Sequence, residues 1–160
     1  VNIETVNADA AQQGALRGQQ FGLLNEYLQV ESDAVVDVGA SNVEQFLSLM
    51  RQYRGSHKEF DYFLVPTVSN VKQQEDTVAT LHELRRLGVE PQRLRVVLNM
   101  ADYQGDLESD FALVRNYAEQ EGTTEFNPRC VIYSNEVYEQ AKSSPQLQIA
   151  DLANDETDQT

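Results

Sequence analysis

Residues 35–42 read "VVDVGASN". A β-branched run enters an aspartate, a glycine follows, and a Ser-Asn pair stands where a helix can begin. The run predicts a short strand over 33–38. Ser41 or Asn42 can cap the helix that follows. That helix is the clearest in the chain: Val43, Phe46, Leu47 and Met50 recur at i, i+3, i+4 and i+7, one apolar stripe over 42–53. Strand, glycine turn and amphipathic helix make one βα unit. A carboxylate at the end of its strand is the feature to explain.

The pattern repeats outward. Residues 60–65 form a continuous apolar run ended by Pro66, and 70–87 carry Val71, Val78, Leu81 and Leu84 at helical spacing up to Gly88. Residues 94–98 are a second apolar run, ended by Asn99-Met100. Residues 106–121 place Leu107, Phe111, Val114 and Ala118 on one helical face, with Gly122 as the stop. Cys130 to Tyr133 is a last short strand, followed by helical patterns at 135–142 and, more weakly, at 145–153. Upstream, Val1 to Val6 alternates like a strand, and 11–30 reads as a helix weakened in its first half by Gly14 and Gly18. Strands alternate with helices, and the inner strands are apolar on both faces. This predicts an α/β fold: a mostly parallel sheet with helices on both faces. One domain over 1–153 with a polar tail at 154–160 is the economical division of the 160 residues.

Composition narrows the functional classes. A net charge of −14 argues against direct binding to DNA or RNA, where Lys and Arg supply most of the affinity. The single cysteine, Cys130, forms no internal disulfide and fits a reducing cytoplasm. No apolar run is long enough to cross a membrane. His57 and His82 are distant from one another with no cysteine beside either, so a zinc site of three or four ligands is not expected. No Gly-x-Ser-x-Gly context supports a serine hydrolase. The one basic cluster, "RQYRGSHK" at 51–58, reads as a helix end whose arginines offset the dipole, or as a partner-facing patch.

In parallel sheets ligands sit beyond the carboxyl ends of the strands. The segments there are 7–9, 37–42, 66–70, 99–102 and 133–136, and all but 66–70 carry a carboxylate. Asp37 at such a position can hold the water shell of a metal-bound phosphate, or can cap the turn through the Gly39 and Ala40 amides.

The stretches "ETVNAD", "GALRGQQFGLLNEYL", "VDVGASNVEQFLSLMRQYRGSHKEFDYFLVPTV" and "KQQEDTVATLHELRRLGV", with "RLRVVLNM" and "VIYSNEVYEQAKSS" in order behind them, resemble the StbB-type plasmid stability proteins of the ParA/MinD-like P-loop ATPases. The resemblance covers roughly residues 1–142. The TraL-like conjugal-transfer ATPases share the Asp-x-Gly-Ala-Ser element. The resemblance implies an ATP- and Mg²⁺-dependent ATPase of bacterial plasmid partition or conjugation, cytoplasmic, reaching plasmid DNA only through a DNA-binding partner, with a homo-oligomer as one form. It implies that Asp37 holds the metal's water shell, that Gly39 turns its N–H to the γ-phosphate, and that Asp9 orients the attacking water. It also implies that Asn99 reads adenine and that Tyr133 and Ser134 lie beside the base.

The family's defining element is missing. No glycine in the chain is followed by Lys-Ser or Lys-Thr, so no loop cradles phosphates. The expectation is that the first strand and its phosphate loop precede Val1, that this stretch alone neither binds ATP tightly nor hydrolyses it, and that the loss of a central strand leaves strand edges open to an oligomer or a rearranged sheet. The alternative is a non-catalytic interaction module on a degenerate ATPase fold, recruiting a DNA-binding plasmid partner or a conjugation component.

Overall fold

The computed structural model describes residues 2–3, 18–30, 33–122 and 124–138. Strands and helices alternate in these: β1 (Asn2–Ile3), α1 (Gly18–Leu28), β2 (Val35–Val36), α2 (Val43–Gln52), β3 (Phe63–Thr67), α3 (Val71–Arg86), β4 (Leu94–Ala101), α4 (Leu107–Asp110), α5 (Ala112–Glu121) and β5 (Val131–Tyr133). Every strand pairing is parallel, so the α/β expectation holds in its coarse form. The strands fall into two groups. β1 pairs with β2, and β3-β4-β5 form a three-stranded sheet in that order. β2 and β3, consecutive in the chain, do not pair.

The three-stranded sheet buries one face fully. Leu94, Val96 and Leu98 of β4 have almost no exposure and join Leu81 and Leu84 of α3 and Phe111 and Val114 in one apolar core. The other face is half open. Leu64 of β3 is 66% exposed and Ile132 of β5 is 42% exposed, with Arg95 and Val97 half-buried between them. The expected helical cover on both faces is therefore met on one face only among the described residues. α1 and α2 join the core through a chain of rings. Phe21 lies against Phe46 at 5.4 Å, Phe46 against Phe60 at 6.1 Å, and Phe60 against Phe63 at 5.4 Å.

Several boundaries differ from the sequence expectation for local reasons. Pro66 does not end β3; the strand runs on to Thr67. A proline has no N–H for the ladder, and β3 is an edge strand that pairs only with β4, so the missing donor can face the open side. β4 continues through Asn99 and Met100 to Ala101, past the expected end. It does so by a register shift against β5 between Asn99 and Ala101, where Met100 takes φ 53°. The helix expected over 106–121 is two helices, because the buried Phe111 adopts φ −113°, ψ 31° between them. On α3, Val71 is exposed, and Gln74 and Thr77 are buried in its place. The expected stop at Gly122 is present, closing α5 at φ 57°. Asn70 caps α3 by accepting from the Gln73 amide at 3.3 Å, whereas Asn42, at the N-cap position of α2, makes no side-chain capping bond to that helix. Of the helix expected at 135–142, residues 136–138 are helical, and 139–142 lie outside the described residues. The segments 4–17, 145–153 and the polar tail lie outside them.

Candidate functional site

The carboxyl ends of the strands carry the candidate groups. Asp37 follows β2 directly and is exposed. Among the described residues its carboxylate has no hydrogen-bond or ion-pair partner, so the turn is not capped by it. Instead the Asn42 amide donates to the Gly39 carbonyl at 2.8 Å, closing the short 3₁₀ turn Ala40–Asn42 that leads into α2. Gly39 sits at φ −56°, ψ 144°, an extended conformation open to any residue, so its conformation alone does not call for glycine.

Asn99 lies inside β4, not after it, half-buried on the open face of the sheet and paired in register with Ile132. Ser134 follows β5. Its side chain is exposed, and its amide donates to the Ala101 carbonyl at 2.9 Å, extending the β4–β5 ladder one step. Asn135 then accepts from the Val137 amide at 3.0 Å and starts the next turn. Asp9 lies outside the described residues. Asp37 and Ser134 thus stand directly after parallel strands, whereas Asn99 stands within β4, near its carboxyl end. Asp37 belongs to the two-stranded group, and Asn99 and Ser134 to the three-stranded sheet.

Among the described residues no three or more His, Cys, Asp or Glu side chains gather where they could hold a metal ion. A lone carboxylate is nonetheless how Mg²⁺ is commonly held, with water and phosphate supplying the other ligands. No helix among the described residues is long and apolar enough to cross a membrane.

Much of the basic cluster has structural work. Arg51 of α2 pairs with Glu83 of α3, which also takes Arg86 at 2.9 Å. These two guanidinium groups hold the Glu83 carboxyl below the usual glutamate range, the hydrogen bond from Arg86 foremost. Arg93 donates to the carbonyls of Asp61, His57 and Lys58 and fastens the 56–61 loop to the start of β4. His57 lies over Gly88, whose φ of 96° needs glycine. Burial, followed by the charges of Lys58 and Arg93, lowers the His57 pKa. The folded state therefore prefers neutral His57. Its contribution is complete above the ordinary histidine pKa near 6.5 and is lost as pH falls through the lower folded value. Urea midpoints at pH 7.5 and 5.5 are expected to show a loss that His57→Gln diminishes. An equal loss in that variant would assign the acid sensitivity to other groups.

Sequence reasoning missed two residues at this end of the sheet. Gln74 is buried, and its amide ties the loop after β3 to the α4–α5 junction. Tyr103 is 82% exposed and stands beside Tyr133. Neither was visible without the strand register. No family model, curated protein or solved structure matches the chain.

Proposed function

We propose that the chain is a nucleotide-binding part of a plasmid-maintenance ATPase of the ParA-like kind. One observation carries this most: the strand pairing breaks in the middle, between β2 and β3, with two parallel strands on one side and three on the other. A fold of this kind that lacks a central strand breaks in the middle rather than at an edge. The position of Asp37, Asn99 and Ser134 at or near carboxyl strand ends supports the same reading.

In this reading the phosphates lie toward Asp37 and Gly39, and the base lies toward Asn99 and Ser134. Bound Mg²⁺ would neutralise the charge that develops on the phosphoryl oxygens. The exposed, unpartnered Asp37 carboxylate fits the role of accepting hydrogen bonds from that ion's water shell. The Gly39 amide, with no side chain to block approach, would donate to a terminal phosphate oxygen. The Asn99 side chain has both a donor and an acceptor to offer the edge of adenine. Asp9 is the candidate to orient water.

The test is Mg²⁺-dependent ATP binding and turnover by the protein expressed from its complete gene. The gene is expected to encode a Gly-Lys-Ser/Thr loop upstream of Val1. Asp37→Ala is expected to reduce turnover on the order of 100-fold while leaving the circular dichroism spectrum unchanged. A natural chain that begins near Val1 and binds no ATP would overturn the reading in favour of an interaction module.

A further inference from the structure

The sheet ends in an aromatic surface whose more exposed ring, Tyr103, the nucleotide reading does not use. Tyr103, on the loop after β4, is 82% exposed, and Tyr133 at the end of β5 is 36% exposed. Their rings meet edge to face at 5.2 Å and 65°. Met100, 55% exposed, stands at the register shift of the same strand ends in a left-handed conformation rare for a side chain of its size. Large apolar groups gathered on a surface mark a contact site more often than scattered ones do.

The loop that presents Tyr103 is built, not slack. The Gly105 amide donates to the Asp102 carbonyl at 3.1 Å, and the Gln104 amide to Asp102 Oδ1 at 2.9 Å. A methyl group on Gly105 would lie 2.5 Å from Asp110 Oδ2, so a side chain there would displace the Asp110 carboxylate. Tyr103 is therefore held in place before any partner arrives, which reduces the ordering cost of binding.

Charge selects the partner. Asp102, Asp106, Glu108 and Asp110 follow β4 and Glu136 follows β5, while no Lys or Arg occurs from Val96 to Val114 or from Cys130 to Tyr138. Anions are repelled by such segments. A second copy of the chain would bring the same acidic segments and its own −14 charge. A cation is attracted by both the ring faces and the carboxylates. Among cations the guanidinium is planar, stacks on aromatic rings and pairs with carboxylates through two parallel hydrogen bonds. Several of the chain's own arginines are engaged elsewhere: Arg51 and Arg86 on Glu83, Arg93 on loop carbonyls, Arg95 over the Tyr62 ring at 5.5 Å.

We propose that Tyr103 and Tyr133, which lie in segments whose charged residues, Asp102, Asp106 and Glu136 among them, are all acidic, are the docking surface for an arginine-bearing basic segment of a protein partner. The guanidinium lies against the tyrosine pair and its N–H groups reach the carboxylates of those segments. The claim does not require ATP binding: it uses neither Asp37 nor Asn99, although Tyr133 stands directly before Ser134, on the side where the proposed function puts the base.

Because the chain contains seven tyrosines, amide shifts, which resolve each residue, are the readout for this surface. The experiment titrates the full chain with a short blocked Gly/Arg peptide and with its Gly/Lys counterpart. Saturable binding is expected, with shifts centred on Tyr103 and Tyr133 and the lysine peptide weaker. Tyr103→Ala is expected to weaken the arginine peptide about tenfold, and Tyr103→Phe to retain it. Asp102→Asn tests the carboxylates and is expected to weaken binding and its salt dependence together. Equal affinity of wild type and Tyr103→Ala would reduce the attraction to net charge and overturn the proposal. So would equal affinity for both peptides. Shifts at the tyrosine pair with ATP but not with the arginine peptide would also overturn it, making the surface a base platform. At 82% exposure Tyr103 is not part of the core, so the variants are expected to fold.

Discussion

Phe111→Ala is expected to lower the stability of the chain by roughly 4 kcal/mol, from lost apolar transfer together with the cavity left behind. Phe111 has no exposed surface and stands between α4 and α5, within the core of Leu81, Leu84, Leu98 and Val114. The backbone pivots there. The Phe111 amide donates to the Leu107 carbonyl at 3.1 Å, and the Phe111 carbonyl accepts from Arg115 at 3.0 Å. Both helices are short, four and ten residues, and short helices depend on packing more than on propensity. Losing the ring removes the reason for the pivot and allows the segment to relax toward one continuous helix. Phe111→Leu keeps most of the volume and is expected to cost about 1 kcal/mol. Urea unfolding of both variants decides it. A loss below about 1 kcal/mol for the alanine variant, with an unchanged denaturant slope, would show that the site collapses without penalty.

The same residue shows where sequence reading stops. Leu107, Phe111, Val114 and Ala118 do share a face, as their spacing predicts, and Phe111, Val114 and Ala118 are buried. The break at Phe111 is set by contacts with α3 and β4, which no local window contains. Pro66 and Met100 teach the same lesson in strands. Each is a local stop signal that the sheet overrides, Pro66 because β3 is an edge, Met100 because the ladder shifts register. By contrast α2 was legible: its apolar stripe falls on one face, and Phe46, Leu47 and Met50 are buried. The Gly122 stop was legible for the same reason, since it acts within one turn.

The candidate site divides along the same line. Asp37 and Ser134 are recognisable because a polar residue directly after an apolar strand needs only the strand to be placed. Asn99 was placed one step too far out, since β4 runs through it to Ala101. The pairing of the two tyrosines could not be read from the chain. Thirty residues separate Tyr103 from Tyr133, and only the Ala101–Tyr133 pairing brings them together. A signal was nevertheless present: a long stretch without Lys or Arg, holding an exposed-type tyrosine between aspartates.

Gln74→Leu is expected to cost about 3 kcal/mol, although leucine fills a similar volume and the site is buried. The side chain is 2% exposed and fully bonded. Its Nε2 donates to the Ser69 carbonyl at 2.9 Å and the Asp110 carbonyl at 2.8 Å, and its Oε1 accepts from the Leu113 amide at 3.2 Å. Asp110 and Leu113 flank the helix break, and Gln74 supplies a partner to each. Leucine would leave the Ser69 and Asp110 carbonyls and the Leu113 amide without this partner, at about 1–3 kcal/mol for each that water does not reach. Gln74→Glu separates bonding from packing. It keeps an acceptor for the Leu113 amide but turns a second oxygen toward two carbonyls, so a large loss is expected there too, and it should diminish when acid protonates the glutamate. The Leu113 amide should exchange with solvent faster in Gln74→Leu. Unchanged exchange and a loss under about 1 kcal/mol would mean that water replaces the side chain. Because Ser69 follows β3 and Asp110 closes the loop that carries Tyr103, this one amide joins the loops behind two neighbouring strands. The candidate surfaces at the carboxyl end of the sheet therefore rest on a polar core residue, and their geometry should loosen in Gln74→Leu before the sheet itself unfolds.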